Sequence, residues 1–156
     1  MSRLLGIDPG IGGALALLSD GEVIEIADMP VVTSRGKRRV DPAQLAALIA
    51  SWRPIDHAGI ELATARPGQG SVSMLGYGRS YGIVVGVLSA LGIPYSEITA
   101  PGWKRKLSVP SDKGAARLRA GQLLPAAARH WPFVKHHGRA EAALLALFDE
   151  RMNGGD

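Results

Sequence analysis

The sequence predicts an α/β protein whose mixed sheet begins with antiparallel hairpins and is flanked by helices. Three observations carry this. Short apolar runs separated by glycine and proline turns fill the first 28 residues. Segments of helical length then alternate with two further short runs. The 156 residues suffice for one ordinary core. The resulting order, β-β-β-α-β-α-β-α-α, makes a five-stranded mixed sheet.

The elements follow in turn. Residues 3–8 (RLLGID) and 13–19 (GALALLS) read as strands joined by the Pro9-Gly10-Ile11-Gly12-Gly13 turn. Ser19-Asp20-Gly21 is a second turn, and Glu22–Asp28 alternates as a third strand. Pro30–Val40 reads as a polar, basic loop. Asp41 then serves as an N-cap with Pro42 at the first helical position, and Pro54 lies beyond that helix. His57–Leu62 is a short buried strand, Ala63–Gly70 a loop, and Ser71 to Leu91 a long helix. Within it Gly78, Gly82 and Gly86 fall four apart on one face. Each glycine costs a helix about 1 kcal/mol against Ala, which close packing against the sheet, a partner subunit or DNA would offset. Ile93–Ile98 is the last strand, and Pro101-Gly102-Trp103 opens a short basic helix. Ser111 or Asp112 caps a helix ending near Pro125, and Arg139–Met152 forms the final one. Residues 1–150 are expected to make one domain and 151–156 a flexible tail.

Composition excludes several classes. There are no cysteines, hence no disulfide scaffold, no Cys-ligated zinc and no thiol nucleophile. No apolar run is long enough for a signal peptide or membrane span, so a soluble, cytoplasmic protein is expected. Aromatics are only 5%, which argues against base-stacking platforms. The formal charge is +4, and its distribution is uneven. Between Pro101 and Arg139 there are nine Lys and Arg residues and one acid, Asp112. Arg35, Lys37, Arg38 and Arg39 form a second basic knot. Charge gathered this way attracts polyanions, nucleic acid first among them, although a solvated surface is the plain alternative.

Two acids are unusually placed. Asp8 ends an apolar strand before a glycine turn, and Glu61 sits in the otherwise apolar His57–Leu62. A buried carboxylate needs a partner. An arginine would serve for either alone, but two carboxylates at neighbouring strand ends are better matched by a hard divalent cation. On the last helix His137 and Glu141 are four apart and share a face, with His136 beside them, and Glu141 interrupts an apolar stripe. Four such groups can hold two Mg²⁺ ions about 4 Å apart for phosphodiester hydrolysis.

Several stretches together resemble the RuvC-type Holliday junction resolvases, in particular their compact phage-borne branch. They are GIDPGIGGALAL, GIELATARPGQGSVSMLGYGRSYGIVVGVLSALGIP, APGWKRKL, SDKGAARLRAGQLLP and HHGRAEAALLAL. They run in family order over roughly four-fifths of the chain. The resemblance implies an RNase H-like fold, a homodimer, and paired symmetric nicking of four-way DNA junctions with Mg²⁺, Mn²⁺ being a possible substitute. It implies Asp8 and Glu61 as the first two metal-binding carboxylates and Glu141 as the last. The position three residues before it is Gly138, where the family commonly has Asp, and His137 is the implied substitute ligand. Lys113 is expected to orient the scissile phosphate, with Lys104, Lys106 and Arg117 on the backbone. Gln69, Ser71 and Ser73 are expected at the junction core, with capping of the helix as the alternative role for Ser71. The missing Asp leaves a non-catalytic junction-binding protein as an alternative. A nuclease of the same fold acting on RNA-containing or flap substrates is another. An actin-like phosphotransferase, suggested only by GIDPG, would need a second large domain for which the chain has no room.

Overall fold

A computed structural model describes residues 1–153. Three strands, β1 (Arg3–Asp8), β2 (Ala14–Ser19) and β3 (Glu22–Asp28), form an antiparallel meander. A hairpin of β4 (Val31–Ser34) and β5 (Lys37–Val40) follows, then α1 (Pro42–Ser51) and β6 (His57–Glu61). The chain continues through α2 (Ser71–Ala90), β7 (Tyr95–Ile98), α3 (Ala100–Lys106) and α4 (Lys113–Leu123). Two 3₁₀ turns, Pro125–His130 and Val134–His136, lead into α5 (His137–Asn153). The five-stranded sheet has the order β3-β2-β1-β6-β7, with β6 parallel to both β1 and β7. This is the mixed sheet expected, with its antiparallel half at the N-terminus.

Several expectations need correction. Pro30–Val40 is not a loop but contains the β4–β5 hairpin, which closes through Arg35 and Gly36, both at positive φ. The 3₁₀ turns were not foreseen, and the last helix starts at His137 rather than Arg139. That helix runs on through Arg151, Met152 and Asn153, the first half of the expected tail; Gly154–Asp156 lie outside the described residues. Gly78, Gly82 and Gly86 do not pack on the sheet. A Cβ at any of them would meet nothing within 4 Å, and α2 buries Ser80, Val84 and Leu88 instead.

Period-two alternation along the strands divides the core. Leu5, Ile7, Ala58 and Ile60 pack towards Leu45 and Ile49 of α1 and Val84 and Leu88 of α2. On the opposite face Ala14, Ala16 and Leu18 meet α5 together with Trp103 and Trp131. Asp41 caps α1 as expected, its carboxylate accepting from Ala43 and Gln44 N–H at 3.0 and 3.2 Å. Of the two residues considered for the start of α4, Asp112 is the cap, accepting from Ala115 N–H at 2.8 Å. Among the described residues no helix is long and apolar enough to cross a membrane.

Candidate active site

β1 and β6 are parallel neighbours in register, Ile7 opposite Ile60, so Asp8 and Glu61 end adjacent strands at one edge of the sheet. Alternation sets their direction. Gly6 and Gly59 face α5, and two residues further on Asp8 and Glu61 take the same face. The glycines let the helix descend: a Cβ on Gly6 would stand 2.0 Å from the Ala142 carbonyl oxygen. Close approach of α5 brings Glu141 beside the strand-end acids, near enough for it to act on the Asp8 carboxyl.

Electrostatics follow from this crowding. Burial, with the charges of Glu141 and Glu61 added, pushes the Asp8 carboxyl up to about 8. Burial also raises Glu61, against the indole of Trp103, whose Nε1–H donates to Glu61 Oε2 at 2.8 Å and favours the ionised form. Burial and the negative charge of Asp8 and Glu61 push the Tyr77 phenol up to about 12, so it stays protonated.

The acids line an open cavity of about 460 Å³. Of the residues singled out from sequence, Asp8, Glu61, His137, Glu141, Lys113, Lys104 and Gln69 meet there. His137 Nδ1 is buried without a hydrogen-bond partner, whereas His136 Nδ1 accepts from Phe133 N–H at 3.3 Å. Ser71 and Ser73 lie exposed on the first turn of α2, just outside the cavity. Gly70, not Ser71, is the N-cap of α2, and no side chain caps that helix, so the capping role considered for Ser71 falls away. Gln69 Nε2 donates to Ser73 Oγ at 3.3 Å. Lys106 is exposed and away from the cavity. Arg117 is also outside it, and its Nη1 donates to the Trp131 and Pro132 carbonyls at 3.0 and 3.1 Å, which ties down the approach to α5.

Sequence reasoning missed Tyr77, Arg66, Thr64 and Trp103, all of which line the cavity or hold its acids. Tyr77 lies in a glycine-rich helix and resembles a packing aromatic. Trp103 gives no sequence signal for its bond to Glu61. Gly138 has a steric reason: a Cβ there would stand 2.7 Å from the Gly12 carbonyl oxygen and 3.2 Å from Gly13 Cα. No acid fits at that position unless the glycine turn moves. Among the described residues, no three acidic or imidazole groups already form a closed ligand set for one ion.

Two solved structures resemble the chain over almost its whole length. One is Thermus thermophilus RuvC in complex with a Holliday junction substrate, with TM-score 0.69 and 18% identity over 98% of this chain and 97% of that one. The chain has the fold of RuvC. A second Thermus thermophilus RuvC structure matches with TM-score 0.62 and 20% identity, covering 96% of each chain. Neither a protein-family model nor a curated protein sequence matches. The likeness spans almost all of both chains, and the mixed five-stranded sheet flanked by helices is consistent with the RNase H-like fold expected.

Proposed function

We propose that this chain is a structure-selective endodeoxyribonuclease that resolves four-way DNA junctions by paired symmetric nicks, acting as a homodimer with a divalent metal. The observation that carries the reading is the cluster of Asp8, Glu61 and Glu141. Two strand-end carboxyls and one from α5 line one open cavity with Lys104 and Lys113, and one of the three is held up to about 8. Structural ion pairing does not explain them, since none has a basic partner in salt-bridge contact among the described residues. The likeness to a RuvC seen with a Holliday junction substrate supports the choice of branched DNA.

The donor set suits a hard cation, being oxygen-rich with the unpartnered Nδ1 of His137 in addition. Asp8, Glu61, Glu141 and His137 would hold one or two Mg²⁺ or Mn²⁺ ions. When bound, such ions lower the pKa of water and neutralise charge on the phosphodiester. The chain's own groups do the remaining work. Trp103 fixes the Glu61 carboxylate by its indole N–H. Lys113, at the first position of α4, and Lys104 attract and orient the DNA backbone from the cavity wall. The protonated Tyr77 phenol is a donor available to the scissile strand. Gln69, Ser71 and Ser73 extend from the cavity along the start of α2 and contact the junction near its branch point. A two-fold dimer matches a two-fold junction, because an isologous interface relates two identical sites. The open face of α2, with Leu75, Gly78, Gly82 and Gly86, is the surface assigned to that interface.

The test is a gel assay of a synthetic four-way junction in Mg²⁺, Mn²⁺ or EDTA. Metal-dependent symmetric nicks are expected. Binding without nicks in any metal would favour the second reading, a non-catalytic junction binder. That reading draws on Gly138, whose packing leaves no room for a further acid.

A further inference from the structure

The basic knot of the β4–β5 hairpin is exposed at Arg35, Lys37 and Arg38 and half-buried at Arg39. The hairpin folds beside the first half of α2, and together they wall a cleft of about 540 Å³ lined by Arg35, Lys37, Arg38, Arg39, Arg79 and the open backbone at Gly76. No acidic residue lines it. Among the described residues the ion pairs are His57–Asp149 and Arg139–Asp28, so all five cations lack a carboxylate partner in contact. Arg39 Nε is buried with no hydrogen-bond acceptor. Arg35 holds positive φ at 51°, a conformation that Asn or Gly adopts more easily, so the hairpin tip carries a cation where a neutral turn residue would fit better. Five like charges in one cleft repel one another unless an anion lies among them.

We infer that this cleft is a second clamp for the DNA backbone, separate from the candidate active site, that grips phosphates on a stretch of strand away from the scissile bond. The inference rests on the junction-nuclease reading and adds a subsite to it. Four of the five cations are arginines, whose planar forks match phosphate oxygens. Gly76 adds no side chain to block the approach: a Cβ there would meet nothing within 4 Å. Position selects a nucleic acid over an acidic protein. β3 ends at Asp28, opposite Ala14, which pairs with Asp8, so the hairpin rises from the same sheet edge as the acid cluster. α2 separates the two cavities: Tyr77 lines one and Gly76 the other. A helix is about 10 Å across, and phosphates recur every ~3.4 Å along a strand's helical axis. A backbone with one phosphate at Lys104 or Lys113 therefore reaches the cleft within a few nucleotides.

The experiment is fluorescence anisotropy of a labelled four-way junction in EDTA from 50 to 200 mM KCl. It compares wild type with Arg38→Gln/Arg79→Gln and with Arg53→Gln/Arg151→Gln, a charge-matched pair outside both cavities. Each lost phosphate contact lowers the slope of log affinity against log salt by about 0.9. The cleft variant should lose about 1.8 in slope and bind about tenfold or more weakly, while the matched pair keeps the wild-type slope. Thermal melts check folding. If the double variant does not fold, the exposed Arg38→Gln alone should lose about 0.9. Wild-type binding with an unchanged slope in the cleft variants would overturn the clamp and leave the junction reading intact. So would an equal loss in the matched pair. Failure of wild type to bind the junction at all would remove both.

Discussion

Replacing Asp8 by Asn should make the metal-free protein more stable and the metal-loaded protein inactive. The Asp8 carboxyl is held up from 3.8 to about 8 by burial and by the neighbouring Glu141 and Glu61. A raised carboxyl favours the protonated folded state. The metal-free wild type is therefore most stable below the ordinary carboxylate range near pH 4, and it loses stability as pH climbs towards 8. Each pKa unit corresponds to about 1.4 kcal/mol, so about three units at pH 7 amount to roughly 4 kcal/mol. Asn keeps a polar group at the buried position without the charge, which puts the relief on the order of 2–4 kcal/mol. At ~2–4 °C per kcal/mol for a chain of this size, Asp8→Asn should melt about 4–16 °C higher at pH 7 in EDTA. The gap should shrink towards pH 4. Metal closes most of the gap: Mg²⁺ at 100 times its Kd stabilises wild type by about 2.7 kcal/mol and should leave the variant almost unmoved. Cleavage should fall about 1,000-fold or more, because several kcal/mol of charge stabilisation is lost. Differential scanning fluorimetry across pH, with and without Mg²⁺, measures all of this except the cleavage. A wild-type Tm that is flat from pH 5 to 8, with Asp8→Asn no more stable, would refute the idea that the acids are held apart from their preferred state.

Three further outcomes follow from the same structure. Gly138→Asp, which restores an acid at the familiar position, should destabilise by about 1–3 kcal/mol through overpacking against the Gly12–Gly13 backbone and should not raise cleavage; a faster variant would show that the turn yields. Trp103→Phe removes the indole donor to Glu61. A hydrogen bond to a charged group is worth about 1.5–3 kcal/mol, so the acid limb of the cleavage–pH profile should move up by about one to two units, and an unmoved limb would remove Trp103 from the site. Arg139 holds the Asp28 carboxyl below its ordinary value by hydrogen bonding and charge, at 2.8 and 2.9 Å. The stability this supplies is present above about pH 4 and lost as pH falls through the lowered value. Asp28 is largely exposed, so Arg139→Gln should cost less than about 1 kcal/mol of this at pH 7, with the difference from wild type vanishing in acid melts.

The strand-end acids were legible because physics disfavours them there: a carboxylate in HAGIEL or at the end of RLLGID needs a reason. Glu141 stood out in the same way, as an interruption of an apolar stripe. The β4–β5 hairpin was not legible. Its strands are four residues each, and its turn carries Arg35-Gly36 where Asn-Gly or Asp-Gly would be the recognisable signal. The density of charge hid the alternation. Arg117 is singled out as a phosphate contact by its charge, and sequence offers no hint that its Nη1 donates to two backbone carbonyls. The glycine stripe was read as a packing surface because glycine in a helix needs compensation. That compensation does not come from the sheet, which leaves the face available to a second copy of the chain.

The far end of α5 explains how the cluster is held in place. Asp149, nearly inaccessible, accepts from Asn153 Nδ2 at 2.6 Å and lies 2.6 Å from His57 Nδ1, with Ser96 Oγ 3.2 Å from His57 Nε2. From Asp149 back to Glu141 is eight residues of helix, about 12 Å; from His57 to Glu61 is four residues of strand, about 13 Å. The two spans match, so fixing Asp149 over His57 sets Glu141 over the acids at the other edge. For the proposed nuclease site, this pairing would make His57 a positioning residue acting through α5. His57→Ala strands a buried carboxylate and should cost about 3 kcal/mol, lowering Tm by about 6–12 °C. It should also slow cleavage at saturating DNA, because Glu141 is no longer held in register. Changing both partners, as His57→Leu/Asp149→Leu, leaves no buried polar group unpartnered and should recover much of the stability but not the rate, since the bond that fixes the register is gone. A double variant that cleaves as fast as wild type would mean that the pair contributes through shape alone, and that the register of the acid cluster is set by the close contact of Gly6 with Ala142.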